Sequence, residues 1–274
     1  MRFVAPAREA VDPAVFVPPP LSQLRQFHAL LCDTDWPDVV ALNDAAQNVY
    51  NEINFPQFIE QTPALLRDGL HYEQRIAARG QIATRERNWH DLLNALIWLR
   101  FPALKTALNA RQVMEIEQVG VKRRSRAQCA LTHFDEAGVV AIVRDPALFA
   151  LWDAHDWHGL FWRERAAWTD GRIGVIVFGH ALLEHALKPE QLLVGKALAV
   201  VLLQNTNVDN AAITTVAEAI HRGELLNDPQ ELRPLPLSGI PGWHANNASE
   251  NFYHSAPCFR PLRAGRRYPV PQTV

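Results

Sequence analysis

The stretch TRERNWHDLLNALIWLRFPALKTALN, residues 84–109, decides the fold, because its apolar residues recur at the spacing of a buried helix. Asn88 suits an N-cap, and Asp91 follows where an acid meets the free N–H groups and the positive end of the helix dipole. At about 100° per residue, Trp89, Leu92, Leu93, Leu96 and Leu99 share one face. His90, Asp91 and Asn94 share the other with Ile97 and Trp98, and Pro102 ends the helix. Buried polar side chains need partners. One reading satisfies these three by capping and by bonds to nearby backbone; the other sets them in the wall of a pocket.

Outward from this helix, the first half of the chain reads as helical. Helices are expected near 21–32, 36–51, 62–68, 87–100 and 102–109, with Pro63 and Pro102 at starting positions. The basic stretch GVKRRSR at 120–126 is the candidate subdivision. Beyond it, alternation in QCALTHF and VVAIV around Asp135-Glu136-Ala137-Gly138 predicts a β-hairpin of 127–134 with 139–144. Helices are expected over 146–168. RIGVIVF at 172–178 reads as a buried strand, HALLEHAL as a helix, and the apolar run near 197–203 as strand or buried helix. Asp209 should cap a helix running to Arg222, stopped by Gly223. The expected fold is α+β, a helix-rich single chain with a small sheet made of the hairpin and a further strand. An extended lead-in (1–20) precedes one globular domain (21–262), and an irregular basic tail (263–274) follows, with Trp243, Phe252, Tyr253 and Phe259 as anchors for the proline-rich end.

NWHDLLNALIWLRFP, ALTHFDEAGVV at 130–140, FGHALLE at 178–184 and PLPLSGIPGW at 234–243, taken in that order, resemble the bacterial domain-of-unknown-function family 3025. The resemblance implies a bacterial origin and one shared fold over roughly 20–262. It implies no activity, substrate or cofactor, so every site residue rests on its own chemistry.

Composition narrows the classes. A net charge of -2 argues against a general nucleic-acid or anionic-membrane binder, although a local basic patch stays open. Cys32, Cys129 and Cys258 are far apart with no CxxC pair, which points to reduced thiols and a cytoplasmic location rather than a disulfide framework. The first twenty residues lack the apolar run of a signal peptide, and the run LLVGKALAVVLL at 192–203 is too short for a bilayer and carries Lys196. No dinucleotide-binding, P-loop or nucleophile-elbow motif is present.

His180 follows a strand directly, and Glu184 lies one helical turn on, a spacing that suits an oriented base or a pair of metal ligands. Neither HExxH nor HxxEH is matched, and two ligands fall short of the usual three or four, so no metal or cofactor is expected; a divalent ion would use His180 and Glu184. In 151–168, the four tryptophans read as packing, and Asp156 as a cap between His155 and His158. The leading expectation is a hydrolytic enzyme in which His90 is a base oriented by Asp91 or Asn94. His180 and Glu184 stand across the cleft, and Arg260 and Arg263 bind a small anionic substrate. The alternative is a non-catalytic ligand- or protein-binding module that uses the aromatic clusters and the arginine-rich C-terminal segment. The discriminating observation is whether His90 and His180 share one cavity.

Overall fold

The computed structural model describes residues 3–49, 55–120, 123–202 and 208–273. After short 3-10 turns the chain forms α1 (His28–Cys32), α2 (Val39–Val49), β1 (Gln57–Glu60), α3 (Tyr72–Arg79), β2 (Gln81–Thr84) and α4 (Trp89–Arg100). Next come α5 (Pro102–Val119), α6 (Arg126–Ala137), β3 (Gly138–Val143), α7 (Ala147–Asp153), α8 (Arg165–Thr169), β4 (Ile173–Val177) and α9 (His180–His185). β5 (Val194–Val201), α10 (Val208–His221), β6 (Arg233–Pro236), α11 (Glu250–Ser255) and β7 (Gln272–Thr273) complete it. The architecture is α+β. β1 and β2 form a parallel pair, and the other strands form a mixed sheet in the order β4-β3-β5-β6, with β7 beside the end of β5.

β3 is the centre of that sheet, antiparallel to β4 and parallel to β5, and each of its residues is buried. This is why GVVAIV is an unbroken apolar run: a strand covered on both faces has no polar side to display. The run near 197–203 proves to be strand β5, in which Lys196 is exposed opposite Pro234 of β6. Among the described residues no helix is long and apolar enough to cross a membrane.

The expected hairpin of 127–134 with 139–144 is wrong: its first arm is helix α6, and β3 pairs with β4 and β5 instead. The helix wins because Ala127, Ala130, Leu131 and Phe134 fall on one buried face, and because Ser125 and Gln128 form a reciprocal capping box. Other differences are smaller. α5 runs on from the expected 102–109 to Val119, and the expected 62–68 helix is a 3-10 turn at Leu65–Asp68. The 146–168 region is α7 and α8 around a π-turn at Gly159–Arg163, where Asp156 accepts the Gly159 N–H as a cap. α10 ends before Gly223, which adopts φ 75°; the side chain of Asp209 lies outside the described residues.

α4 is buried almost all round, with Leu93, Leu96, Ile97, Trp98 and Leu99 at most 1 % exposed, and each such aliphatic side chain contributes about 1.5–3 kcal/mol. Asn88 caps it by accepting the Asp91 N–H. The lead-in is tied down by Arg8, buried against Trp36 and Trp89 and donating to the carbonyls of Leu30 and Asp33. The C-terminal segment wraps on its aromatic anchors, with Tyr253 and Phe259 against Phe161. The core contains residues on both sides of 120–126.

Two glycines bring the site elements together. Helix α6 passes straight into β3 at Gly138, and β4 reaches α9 through Gly179, whose N–H and that of Phe178 both donate to the Gly138 carbonyl. A Cβ on Gly179 would lie 2.4 Å from Ala137 Cα and 2.5 Å from Gly138 N, so only glycine lets the two backbones touch. Gly179→Ala should therefore cost about 1–3 kcal/mol in denaturant unfolding. A variant as stable as the parent chain would refute this account of the junction.

Candidate active site

Three helices meet where those backbones touch: α4 packs on α9, and so does the end of α6. A cavity of about 480 Å³ opens there, lined by His90, Asp91 and Asn94 of α4, Asp135 and Glu136 of α6, and His180 of α9, with Tyr72 and Glu73 of α3 on the other side. His90 and His180, ninety residues apart in sequence, share this cavity, their Nε2 atoms 3.0 Å from each other and their rings edge to face.

The other ring atoms also have defined surroundings. His90 Nδ1 faces Glu184 Oε2 at 3.2 Å. Glu136 Oε2 lies 3.7 Å from His180 Nε2 and 4.0 Å from His90 Nε2. His180 Nδ1, buried, is 3.9 Å from Asp135 Oδ2. The spacing of His180 and Glu184 sets both on one face of α9, as the sequence predicts, but they do not pair: the two residues bracket the His90 ring, one at each nitrogen.

A second layer holds the first. Lys105, 4 % exposed on α5, donates to Asp135 Oδ1 at 2.6 Å and to Asn94 Oδ1 at 2.7 Å, with its ammonium over the rings of Trp98 and Phe178. Asn94 in turn donates to the Tyr72 hydroxyl, and Asn109 of α5 donates to the Glu73 carboxylate and carbonyl. Asp91 is fully engaged by Arg85, accepting from its backbone N–H and from two guanidinium nitrogens.

Proton affinities are displaced throughout. The hydrogen bond to Glu184 raises His90 against the effect of burial, with Glu136 adding to the rise. Burial pushes His180 down to about 3, which keeps its ring neutral. Burial raises the carboxyls of Glu136 and Glu73, the latter to about 7. Burial opposes charge on Asp135 too, but Lys105 and His180 outweigh it and hold that carboxyl below the usual range.

Two expected roles are corrected. Asp91 and Asn94 do not orient His90: Asp91 is spent on Arg85 and Asn94 on Tyr72 and Lys105, so Glu184 holds that place. Arg260 and Arg263 do not reach this cavity. They line a separate one of about 910 Å³, because His155 and Trp157 grip the Arg260 carbonyl on another part of the molecule. The arginines at the histidine cavity are Arg85, Arg123 and Arg124. Sequence reading missed Asp135, Glu136, Lys105, Tyr72 and Glu73. The capping box at Ser125 was the available signal for the first two, since it makes them the last turn of a helix instead of a hairpin turn.

Among the described residues, two groups place three ligand atoms within 4.8 Å of one another: His90, Glu136 and His180, and the more exposed His158, Glu250 and His254. No metal was expected, and the pair that a divalent ion would have used, His180 with Glu184, does not converge, since Glu184 serves His90 Nδ1.

Comparison with known proteins gives one match, to a family described as a protein of unknown function (DUF3025), over residues 56–263. No curated protein and no solved structure matches.

Proposed function

Because the chain belongs to the DUF3025 family, whose description assigns no activity, we propose from the site itself that the protein is a hydrolytic enzyme acting on a small anionic substrate. One observation carries this reading: two imidazole Nε2 atoms 3.0 Å apart, with the Glu136 carboxylate beside both, converge on one point of a solvent-connected cavity. Displaced proton affinities gathered in a cleft are characteristic of catalytic groups. A water molecule seated at that point is polarised as a nucleophile, and Glu184 fixes the ring that faces it. Arg123 and Arg124, exposed in the cavity lining, supply guanidinium groups for a carboxylate or phosphate on the substrate. The unpaired thiols of Cys32, Cys129 and Cys258 support a place in the reducing cytoplasm of a bacterial cell.

The test is a panel of phosphate esters, carboxylic esters and amides assayed with the parent chain, His90→Ala and His180→Ala. Turnover of at least one anionic class should fall by about 100-fold or more in both variants, the usual scale for losing a group that acts on the reacting atoms. Undiminished rates in folded variants, or no turnover of any panel member, would sink the hydrolytic reading.

A second reading rests on the other cavity. Its lining contains Lys196, Arg260, Arg263 and Arg266 and no acidic side chain, above an apolar floor that includes Trp157 and Leu232. That composition supports a non-catalytic module for an anionic ligand, for which Arg260→Ala and Arg263→Ala would abolish binding and His90→Ala would not.

A further inference from the structure

We infer that His90, Glu136 and His180 form a binding site for a divalent first-row transition ion, with Glu184 and Asp135 as the groups that orient the two imidazoles. The inference rests on reading this cavity as the functional site, and it names what holds and polarises the water there.

If His90 Nδ1 donates its proton to Glu184, its Nε2 presents a lone pair. For His180 Nε2 to lie 3.0 Å from that lone pair, one of the two atoms must carry a proton or both must face a cation. With neutral rings and no cation, the proton sits on His180 Nε2. A bare lone pair is then left on buried Nδ1, whose nearest carboxylate is Asp135 at 3.9 Å. The opposite choice, a proton on His90 Nε2, sets a lone pair against Glu184. With a positive charge between the rings, as an extra proton or as a metal ion, both Nε2 atoms are satisfied and His180 Nδ1 carries its proton toward Asp135. Glu136 serves either charge, as counter-ion to a proton shared by the rings or as the third ligand of an ion, and the open cavity beside it favours the ion, whose remaining position takes water.

Distances agree. At a metal–nitrogen bond of about 2.0–2.1 Å, neighbouring ligand atoms are about 2.9 Å apart in an octahedron and about 3.3 Å apart in a tetrahedron. The nitrogens are 3.0 Å apart, and the Glu136 oxygen, 3.7 and 4.0 Å from them, has to close by about 0.4–0.7 Å for a tetrahedron or about 0.8–1.1 Å for an octahedron. Glu136 is 43 % exposed in the last turn of α6 and is free to do so.

Charge agrees as well. Among the described residues the ion pairs of Glu136 and Glu184 are with histidines, and Lys105 and Arg85 act on these carboxylates only at longer range, so a divalent ion supplies the close positive charge that they lack. A carboxylate behind a ligating imidazole is the standard support of such sites, and three protein ligands beside an open cavity leave a position for water. Two imidazole donors select ions of the zinc series over Mg²⁺. The His158 group lacks these features, being a surface pair with Glu250 on which His254 stacks.

The test titrates chelator-stripped full-length protein with Zn²⁺ by calorimetry and with Co²⁺ by visible absorption. One ion per chain should bind, raising the melting temperature, and Mg²⁺ should not compete. His90→Ala and His180→Ala should lose affinity by about 100-fold or more, and Glu184→Gln, which leaves the three ligands in place, by about 10–100-fold. Glu136→Gln, at a half-exposed position that cannot threaten the fold, should remove the Co²⁺ band, while Glu250→Gln leaves binding unchanged. The site is overturned if stripped parent protein takes up no stoichiometric Zn²⁺ or Co²⁺, or if Glu136→Gln and His90→Ala bind as the parent does. Binding without any hydrolysis supports the ion site and defeats the hydrolytic reading. Hydrolysis that needs His90 but binds no ion does the reverse.

Discussion

Lys105→Met will destabilise the protein by about 3–5 kcal/mol, the cost of leaving a buried charge without its partner. Lys105 is 4 % exposed, and its ammonium is held by Asp135 at 2.6 Å and Asn94 at 2.7 Å. Methionine fills the aliphatic part of that space, so packing is largely kept and the loss isolates the charge. What remains is a carboxylate at Asp135 in a low-dielectric setting, with an orphaned Asn94 oxygen beside it. At about 2–4 °C per kcal/mol, the thermal midpoint should fall by roughly 10 °C. Adding Asp135→Asn should recover a large part of the loss, because the double variant removes the unpaired charge, and the coupling energy follows from the four-way cycle. A single variant within about 1 kcal/mol of the parent, or a double variant no better than the single, would show that the pair carries little. The result bears on the site, because Asp135 is the group that Lys105 presents to His180.

The same residues explain what could be read from the chain beforehand. Helix α4 was legible because its information is local: a capping Asn88, apolar residues three and four apart, and a terminating Pro102. His90, His180 and Glu184 stood out as polar groups in apolar helical settings, and all three do meet. Their pairing was not legible, since Glu184 finds a ring from ninety-four residues earlier instead of its own helical neighbour. Asp135 and Glu136 were hidden by composition, because Asp-Glu-Ala-Gly ahead of an apolar run has the makeup of a turn, and the alternation of QCALTHF outweighed the helical spacing of Ala127, Ala130, Leu131 and Phe134. Lys105 was hidden by habit of residue type: lysine on a helix is ordinarily solvated, and its burial here depends on Asp135 and Phe178, both supplied by later parts of the chain. Arg260 and Arg263 misled because guanidinium chemistry names a ligand class without a place, and the place is set by long-range contacts of His155 and Trp157.

Glu73→Gln will stabilise the protein at pH 8 and leave it unchanged at pH 4. Glu73 accepts from Asn109 at 2.6 Å, and glutamine keeps that acceptor, so the substitution removes a charge without removing the bond. Burial, then the neighbouring Asp135, raise its carboxyl from 4.5 to about 7, while Asn109 and Lys105 pull the other way. The sign follows from the two end states. Below about pH 4.5 the carboxyl is protonated in both folded and unfolded chains, so it costs nothing. Between about 4.5 and 7 the unfolded chain ionises while the folded one does not, and stability falls with each step of pH. Above about 7 the folded carboxyl ionises as well, and the full penalty persists. At about 1.4 kcal/mol per pH unit, discounted because the side chain is only partly shielded, that penalty is roughly 2–3 kcal/mol, or a melting temperature roughly 5 °C higher in the variant. Denaturant unfolding at the two pH values measures it. An equal difference at both, or a loss at pH 8, would show that burial is not what displaces Glu73. A gain confined to neutral and alkaline pH identifies a carboxyl that the fold holds at a cost on the wall facing His90, and such costs collect where a protein's chemistry is done.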